Sequence, residues 1–280
     1  MIGGLVTAAL VIAYVAVLVT YQQSLSSEFV EPEAPASALA IEIVPTQVLP
    51  VERQVRASLL LFPSQEFLDI DGRLEASVVV VVSPTVANTE VRFPAGRIPA
   101  PQEVVLPVSG LVQSYPFDRY EYRVGIQAHV MKNNEEIPVP VVAGEFFRLA
   151  GWSLDSANDA PGAVFRATSS GTITRDFSTI GIALLLLALM VIIAGLVVRV
   201  VRSVAASRME LNLFVASWIT ALLFALLPLR NSLPGSPPLG SWIDILMYFW
   251  VVAVVMVSLA FVTGLLLTRA KGPVEEDAGN

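Results

Sequence analysis

The 280-residue chain has no cysteine. Disulfides, thiolate nucleophiles and zinc–thiolate centres are therefore excluded. Histidine is almost missing too, since His129 stands alone. With one imidazole and no thiol, the familiar transition-metal constellations are out of reach. His129 reads as a structural or solvated residue near a strand end. Charge is also scarce, at 15% of the chain against about 25% in soluble proteins. Only two of the 17 basic residues are lysines, Lys132 and Lys271. The net charge of −7 makes the chain a poor partner for nucleic acid or anionic headgroups. No glycine-rich phosphate loop and no nucleophile elbow occurs. No cofactor is expected, and the chain does not read as an enzyme.

What the chain has in abundance is apolar length. Four stretches, residues 1–21, 177–200, 209–229 and 242–268, come close to the ~20 residues needed to cross ~30 Å of hydrocarbon. The expected fold class is a mixed membrane protein of four transmembrane α-helices. The first segment exceeds the 7–15 apolar residues of a signal peptide core and lacks a small-x-small site just behind it. It reads as a retained anchor. It also lacks a basic flank, which a leader upstream of Met1 would supply. Arg199 lies at the end of the second stretch and Arg202 and Arg208 follow it, and Arg269 and Lys271 follow the fourth. The positive-inside rule then places both termini and the 199–208 turn in the cytoplasm. The 22–176 block and the loop at 230–241 fall outside. The tail at 269–280 is a short solvated end. The expected location is a bacterial plasma membrane, with the lipid bilayer as one partner.

The block between the first two stretches differs in composition. Residues 23–176 carry 19 acidic and 11 basic residues, a net charge of −8. Residues 22–37, rich in Pro, Ser and Glu, read as a linker. Residues 38–170 hold short β-branched runs separated by Gly, Pro, Asn and Asp. Strands are expected at 40–44, 53–62, 73–82, 90–93, 103–108, 118–130, 137–142, 145–148 and 163–168. This is the pattern of an all-β, immunoglobulin-like sandwich, inserted between the first and second helices. The alternation at 120–128 puts Tyr120, Tyr122, Val124, Ile126 and Ala128 on one face. Asn133 and Asn134 read as a hairpin turn. Asp69-Ile70-Asp71-Gly72 opens like a calcium loop but lacks the later ligands, so it reads as a turn.

Two motifs carry more information. One is Tyr115-Pro116-Phe117-Asp118, where proline fixes a turn and Asp118 accepts hydrogen bonds at a strand start. The other joins Arg230 and Asn231 to Pro234, Gly235, Pro237, Pro238, Gly240 and Asp244. Its prolines and glycines make a stiff, tight loop. Arg230 and Asp244 at its two ends are expected to pair, and Pro228 to kink the third helix near its end. A paired charge at a membrane boundary is usually structural, and an ion path is the functional alternative. The two outer motifs are further expected to pack together, through Tyr115 or Phe117 against residues 228–244.

Both motifs, and the plan of one anchor, a β-domain and three helices, resemble a bacterial membrane family common in actinobacteria, domain of unknown function 4436. The resemblance spans nearly the whole chain and implies no activity. Tyr-Pro-Phe-Asp is also similar to the Phe-Pro-Phe-Asp signature of pentameric ligand-gated channels. That match covers four residues, and the channel plan of four helices after the sandwich is not met. The leading expectation is a non-catalytic membrane protein acting as a structural, scaffold or sensing component of an envelope complex, with a protein partner or a homo-oligomer in the membrane. A channel or transporter subunit is the alternative, and an envelope enzyme the third reading.

Overall fold

The computed structural model describes residues 14, 15, 19, 36–87, 89–132, 135–145, 149–156, 163–206 and 209–270. The chain divides into two compact units. One comprises residues 1–112 and 117–179, the other residues 113–116 and 180–280.

The first unit is built of strands. A four-stranded sheet has the order β5 (Gln102–Pro107), β2 (Gln54–Pro63), β1 (Leu39–Leu49), β9 (Val141–Glu145). β1 and β2 form an antiparallel hairpin, β5 pairs antiparallel to β2, and β9 lies parallel to β1. A second sheet runs β10 (Trp152–Ser156), β11 (Ala167–Arg175), β7 (Arg119–Lys132), β3 (Ser77–Ser83), β4 (Glu90–Phe93). β6 (Ser109–Gly110) and β8 (Glu135–Val139) also pair with β7. The central strand β7 alternates as expected: Tyr120, Tyr122, Val124, Ile126, Ala128 and Val130 are buried. Leu39, Ile41 and Leu59 of the first sheet share one buried cluster with Val78, Val80, Phe93 and Ile126 of the second. The two sheets therefore enclose a common apolar core, the arrangement of a sandwich.

Several strands differ from their sequence reading. The expected strand at 73–82 begins only at Ser77, because Asp69 pulls the preceding residues into a turn. Its Oδ1 accepts from the backbone N–H of Asp71 (2.9 Å) and Arg73 (2.8 Å), and Gly72 has φ +72°. The expected strand at 163–168 runs instead from Ala167 to Arg175. The Ser169–Thr172 stretch looks like a loop by composition, yet it pairs with β7 from Ala167↔Ile126 to Thr174↔Arg119. β10 was not anticipated. The run at 137–142 is split by Pro140 into β8 and β9. Lys132 sits opposite Glu135 in a hairpin, whose Asn133 and Asn134 lie outside the described residues. Of the expected 145–148 strand, Glu145 closes β9 and the rest lies outside them.

Among the described residues, three helices follow the strands. α1 spans Phe177–Ala205, past its expected end at 200, since Arg199 and Arg202 favour the helix and can reach away from apolar surroundings. α2 spans Leu213–Asn231. It starts after the expected 209 because Asn212 caps it, its side chain accepting from Val215 N–H at 3.2 Å. A π-helical turn, Asp244–Tyr248, leads into α3, Phe249–Ala270. Ala183, Leu187 and Met190 of α1 pack in one cluster with Ile219 and Leu226 of α2 and Val251 and Val255 of α3. All three helices are long and apolar enough to cross a membrane. The expected first helix and the linker fall almost wholly outside the described residues, although Tyr14, Val15 and Val19 are helical. Arg208 and residues 271–280 also lie outside them.

Candidate functional site

The Tyr115-Pro116-Phe117-Asp118 motif is divided between the two units. Asp118 belongs to the β unit and sits just ahead of β7. Strand register dictates its neighbours. Thr174 pairs with Arg119, so the next step along the two strands sets Arg175 against Asp118. On its other side Arg175 pairs with Trp152 of β10. Arg175 Nε donates to Asp118 Oδ1 at 2.8 Å, and the Tyr120 hydroxyl donates to Asp118 Oδ2 at 2.8 Å. Both charged side chains are sealed from solvent, at 3% and 0% exposure. The guanidinium lies 4.4 Å over the Trp152 ring, a cation–π contact strengthened by desolvation. Trp152 also meets Tyr120 edge to face, with centroids 5.8 Å apart. Burial, and then the Asp118 carboxylate beside it, hold the Tyr120 phenol well above the usual tyrosine range.

The next residue, Asp176, caps α1. Its Oδ1 accepts from Thr179 N–H and its Oδ2 from the Ser178 hydroxyl, both at 2.8 Å. Gly151 O accepts from Asp176 N–H and from the Thr179 hydroxyl, both at 3.2 Å. One short stretch, 175–179, thus ends a sheet and begins a helix, with Asp176 as the cap.

The second site belongs to the helical unit. Pro228 lies in the last turn of α2, and its carbonyl accepts from the N–H (3.0 Å) and Oγ (2.8 Å) of Ser232, which caps the helix. The loop then needs two left-handed glycines, Gly235 at φ +73° and Gly240 at φ +86°. The turn returns the chain so that Asp244 meets Arg230. Arg230 Nε donates to Asp244 Oδ1 at 3.1 Å and Nη2 to Oδ2 at 2.8 Å, a bidentate pair. Arg230 Nη2 also donates to Pro237 O at 3.0 Å, and Gly240 N–H to Asp244 Oδ2 at 3.0 Å. Side-chain exposure is 8% for Arg230 and 0% for Asp244. Truncating either partner strands the other as a buried charge, a loss of about 3–5 kcal/mol.

The structure therefore brings together Arg230, Asp244, Pro237 and Gly240. Pro238 O takes the Ser241 N–H at 3.3 Å and helps shape the turn. Pro234 is half-buried in the loop, and Asn231 ends α2 facing outward. Tyr115 is buried in the same apolar cluster as Leu233, Ile243 and Tyr248, and Pro116 is buried beside it. The expected association of Tyr115 with the loop is thus observed. Phe117 is 63% exposed.

A family model described as Domain of unknown function (DUF4436) matches residues 29–174, more than half of the chain. The chain belongs to this family. A second model, Domain of unknown function (DUF8686), matches residues 175–269. The Arg230–Asp244 pattern, read from sequence as part of the first family, lies inside this second match instead. The boundary between the two matches falls between Thr174 and Arg175. Comparison with curated proteins finds no match.

Sequence reasoning missed Arg175 and Trp152, because their meeting depends on the β10–β11–β7 register and on no local motif. Chemically, both ion pairs are closed. The oxygens of Asp118 and Asp244 already accept from donors in the chain, and neither carboxylate is open to a substrate. Among the described residues, no group of three or more His, Asp or Glu is placed to hold a metal ion.

Proposed function

We propose that this protein is a non-catalytic, multi-pass membrane protein that holds a β-sandwich outside the cell. It acts there as a structural, scaffold or sensing component of an envelope complex. The observation that carries the reading is the apolar exterior of the three helices. In each span only 28% of the apolar window is buried within the chain, and Leu184, Phe224, Phe249, Trp250, Val257 and Phe261 face outward. Lipid is the solvent that suits such surfaces. The two buried arginine–aspartate pairs are closed on themselves, which supports structure over catalysis.

The same reading takes residues 1–21 as a fourth span, so that the sandwich lies between the first and second helices of the full set. It takes the sandwich as immunoglobulin-like. The pairings in its favour are β2 with β5, β3 with β7, β7 with β8, and the parallel β1–β9 contact at the rim. Arg199, Arg202 and Arg269 mark the cytoplasmic ends, in a bacterial plasma membrane. A protein partner, or a second copy of the chain, completes the complex.

The absence of cysteine makes a direct test available. Ile70→Cys on the sandwich and Leu239→Cys in the loop should react with a membrane-impermeant maleimide in intact cells. Ala206→Cys should react only after lysis. Purification from native membranes in mild detergent should yield an assembly larger than one chain. Labelling of position 206 with protection of position 70 reverses the topology, and a lone monomer removes the scaffold role.

A further inference from the structure

Away from both ion pairs, the outward face of the second sheet carries a cleft of about 370 Å³. Strand register accounts for its lining. Ser109 on β6 lies opposite Glu121 on β7, Glu121 opposite Thr172 on β11, and Thr172 opposite Asp155 on β10. One row of polar side chains thus crosses four strands. Arg123 and Ser170 face each other in the adjoining row, on the same side because side chains alternate along a strand. Gly171 lies between the rows. Its missing side chain leaves room for the Tyr122 hydroxyl, which would stand 2.8 Å from a Cβ at that position.

Among the described residues, no ion pair engages Glu121, Asp155 or Arg123. Three charged groups therefore line one concavity with hydrogen-bonding capacity in hand. Glu121 and Asp155 sit two strands apart, roughly 10 Å at ~4.8 Å per strand. Among the described residues no third carboxylate or histidine joins them to hold a metal ion, and Arg123 further disfavours a cation. The lining mixes acceptors, a donor fork and hydroxyls, over a volume at the lower end of the range for small-molecule sites, about 300–1,000 Å³. A compact, uncharged ligand with many hydroxyls matches it.

We propose that this cleft binds a neutral saccharide of one or two rings. The carboxylates of Glu121 and Asp155 accept from hydroxyls at separate points of the sugar, and Arg123 donates to sugar oxygens, as charge-assisted hydrogen bonds. The assignment does not depend on the orientation of the chain in a membrane.

The test uses the full chain in lipid nanodiscs, free of sugar-headed detergent. Saturation-transfer NMR is recorded during titration with maltose, cellobiose and N,N′-diacetylchitobiose. At least one should bind saturably. The double variant Glu121→Ala/Asp155→Ala should bind it at least about tenfold more weakly, the loss of one charge-assisted hydrogen bond or more. Arg123→Gln, which keeps size and polarity, should weaken it in the same direction and guards against a fold defect in the double variant. Glu90→Ala/Glu103→Ala, removing two exposed carboxylates elsewhere, should bind like the parent chain. No saturable binding by any of the three sugars, or equal binding by the cleft variants and the parent, overturns the assignment. So does calcium binding at Glu121 and Asp155 without sugar binding.

Discussion

Glu42 is the residue at which sequence, burial and chemistry disagree most. It lies on β1, opposite Leu60 and Gly144 in its two neighbouring strands, and is 5% exposed. Its Oε2 finds no hydrogen-bond partner among the described residues. Burial pushes its pKa up from the ordinary 4.5. The folded state therefore prefers the protonated acid, so stability present below about pH 4.5 is lost as pH rises. Glu42→Gln keeps the shape and removes the charge. It should raise the melting temperature at pH 7, and the gain should vanish near pH 4. An equal gain at both pH values would mean that the charge is not what costs stability. Nothing in the local sequence announces this: Ile41-Glu42-Ile43 reads as ordinary strand alternation with the glutamate in water.

At the scale of elements, the sequence was legible wherever one local rule decided the outcome. The valine run at 78–82 is a buried strand because β-branched residues fit a pleated core. The 120–128 alternation sets which side of β7 faces in. The apolar stretch at 209–229 announced the helix at 213–231, and Arg230 and Asp244 could be paired because three prolines and two glycines among the thirteen residues between them make a tight loop. β10 and the far half of β11 were not legible. Ser169, Ser170, Gly171 and Thr172 have loop composition, and only pairing with a distant strand makes them a strand. Gly171 is the tight point of that pairing. A Cβ there would meet Tyr122 OH at 2.8 Å and the Asp155 carbonyl at 2.9 Å. Because one of these atoms is backbone, Gly171→Ala must move β10 or β11. The expected cost is about 1–3 kcal/mol, with faster amide exchange in residues 152–156 and 167–175. Unchanged exchange in β10 would show that the edge strand yields without cost.

For the molecule as a whole, the relevant fact is that each compact unit has its own apolar cluster and its own buried arginine–aspartate pair. Each pair lies wholly within one unit, and changes at sites without shared partners act independently. Asp118→Ala should therefore raise amide exchange across 119–175 and leave 213–270 as it was. Asp244→Ala should do the converse. If either variant loosens both segments equally, the units unfold as one body.

The two ion pairs also differ in when they can close during synthesis. Arg230 and Asp244 are 14 residues apart, and Asp118 and Arg175 are 57 apart. At about 5–20 residues per second, the ribosome delivers the second partner about 1–3 s after the first in the loop. In the β unit the wait is about 3–11 s. The loop pair closes almost as it is made, over a short entropic distance. Asp118 emerges with Tyr120 close behind it, but its cation comes last, as the final residue of the last strand. Arg175 acts as the latch of the β unit, and the residue after it starts the helix.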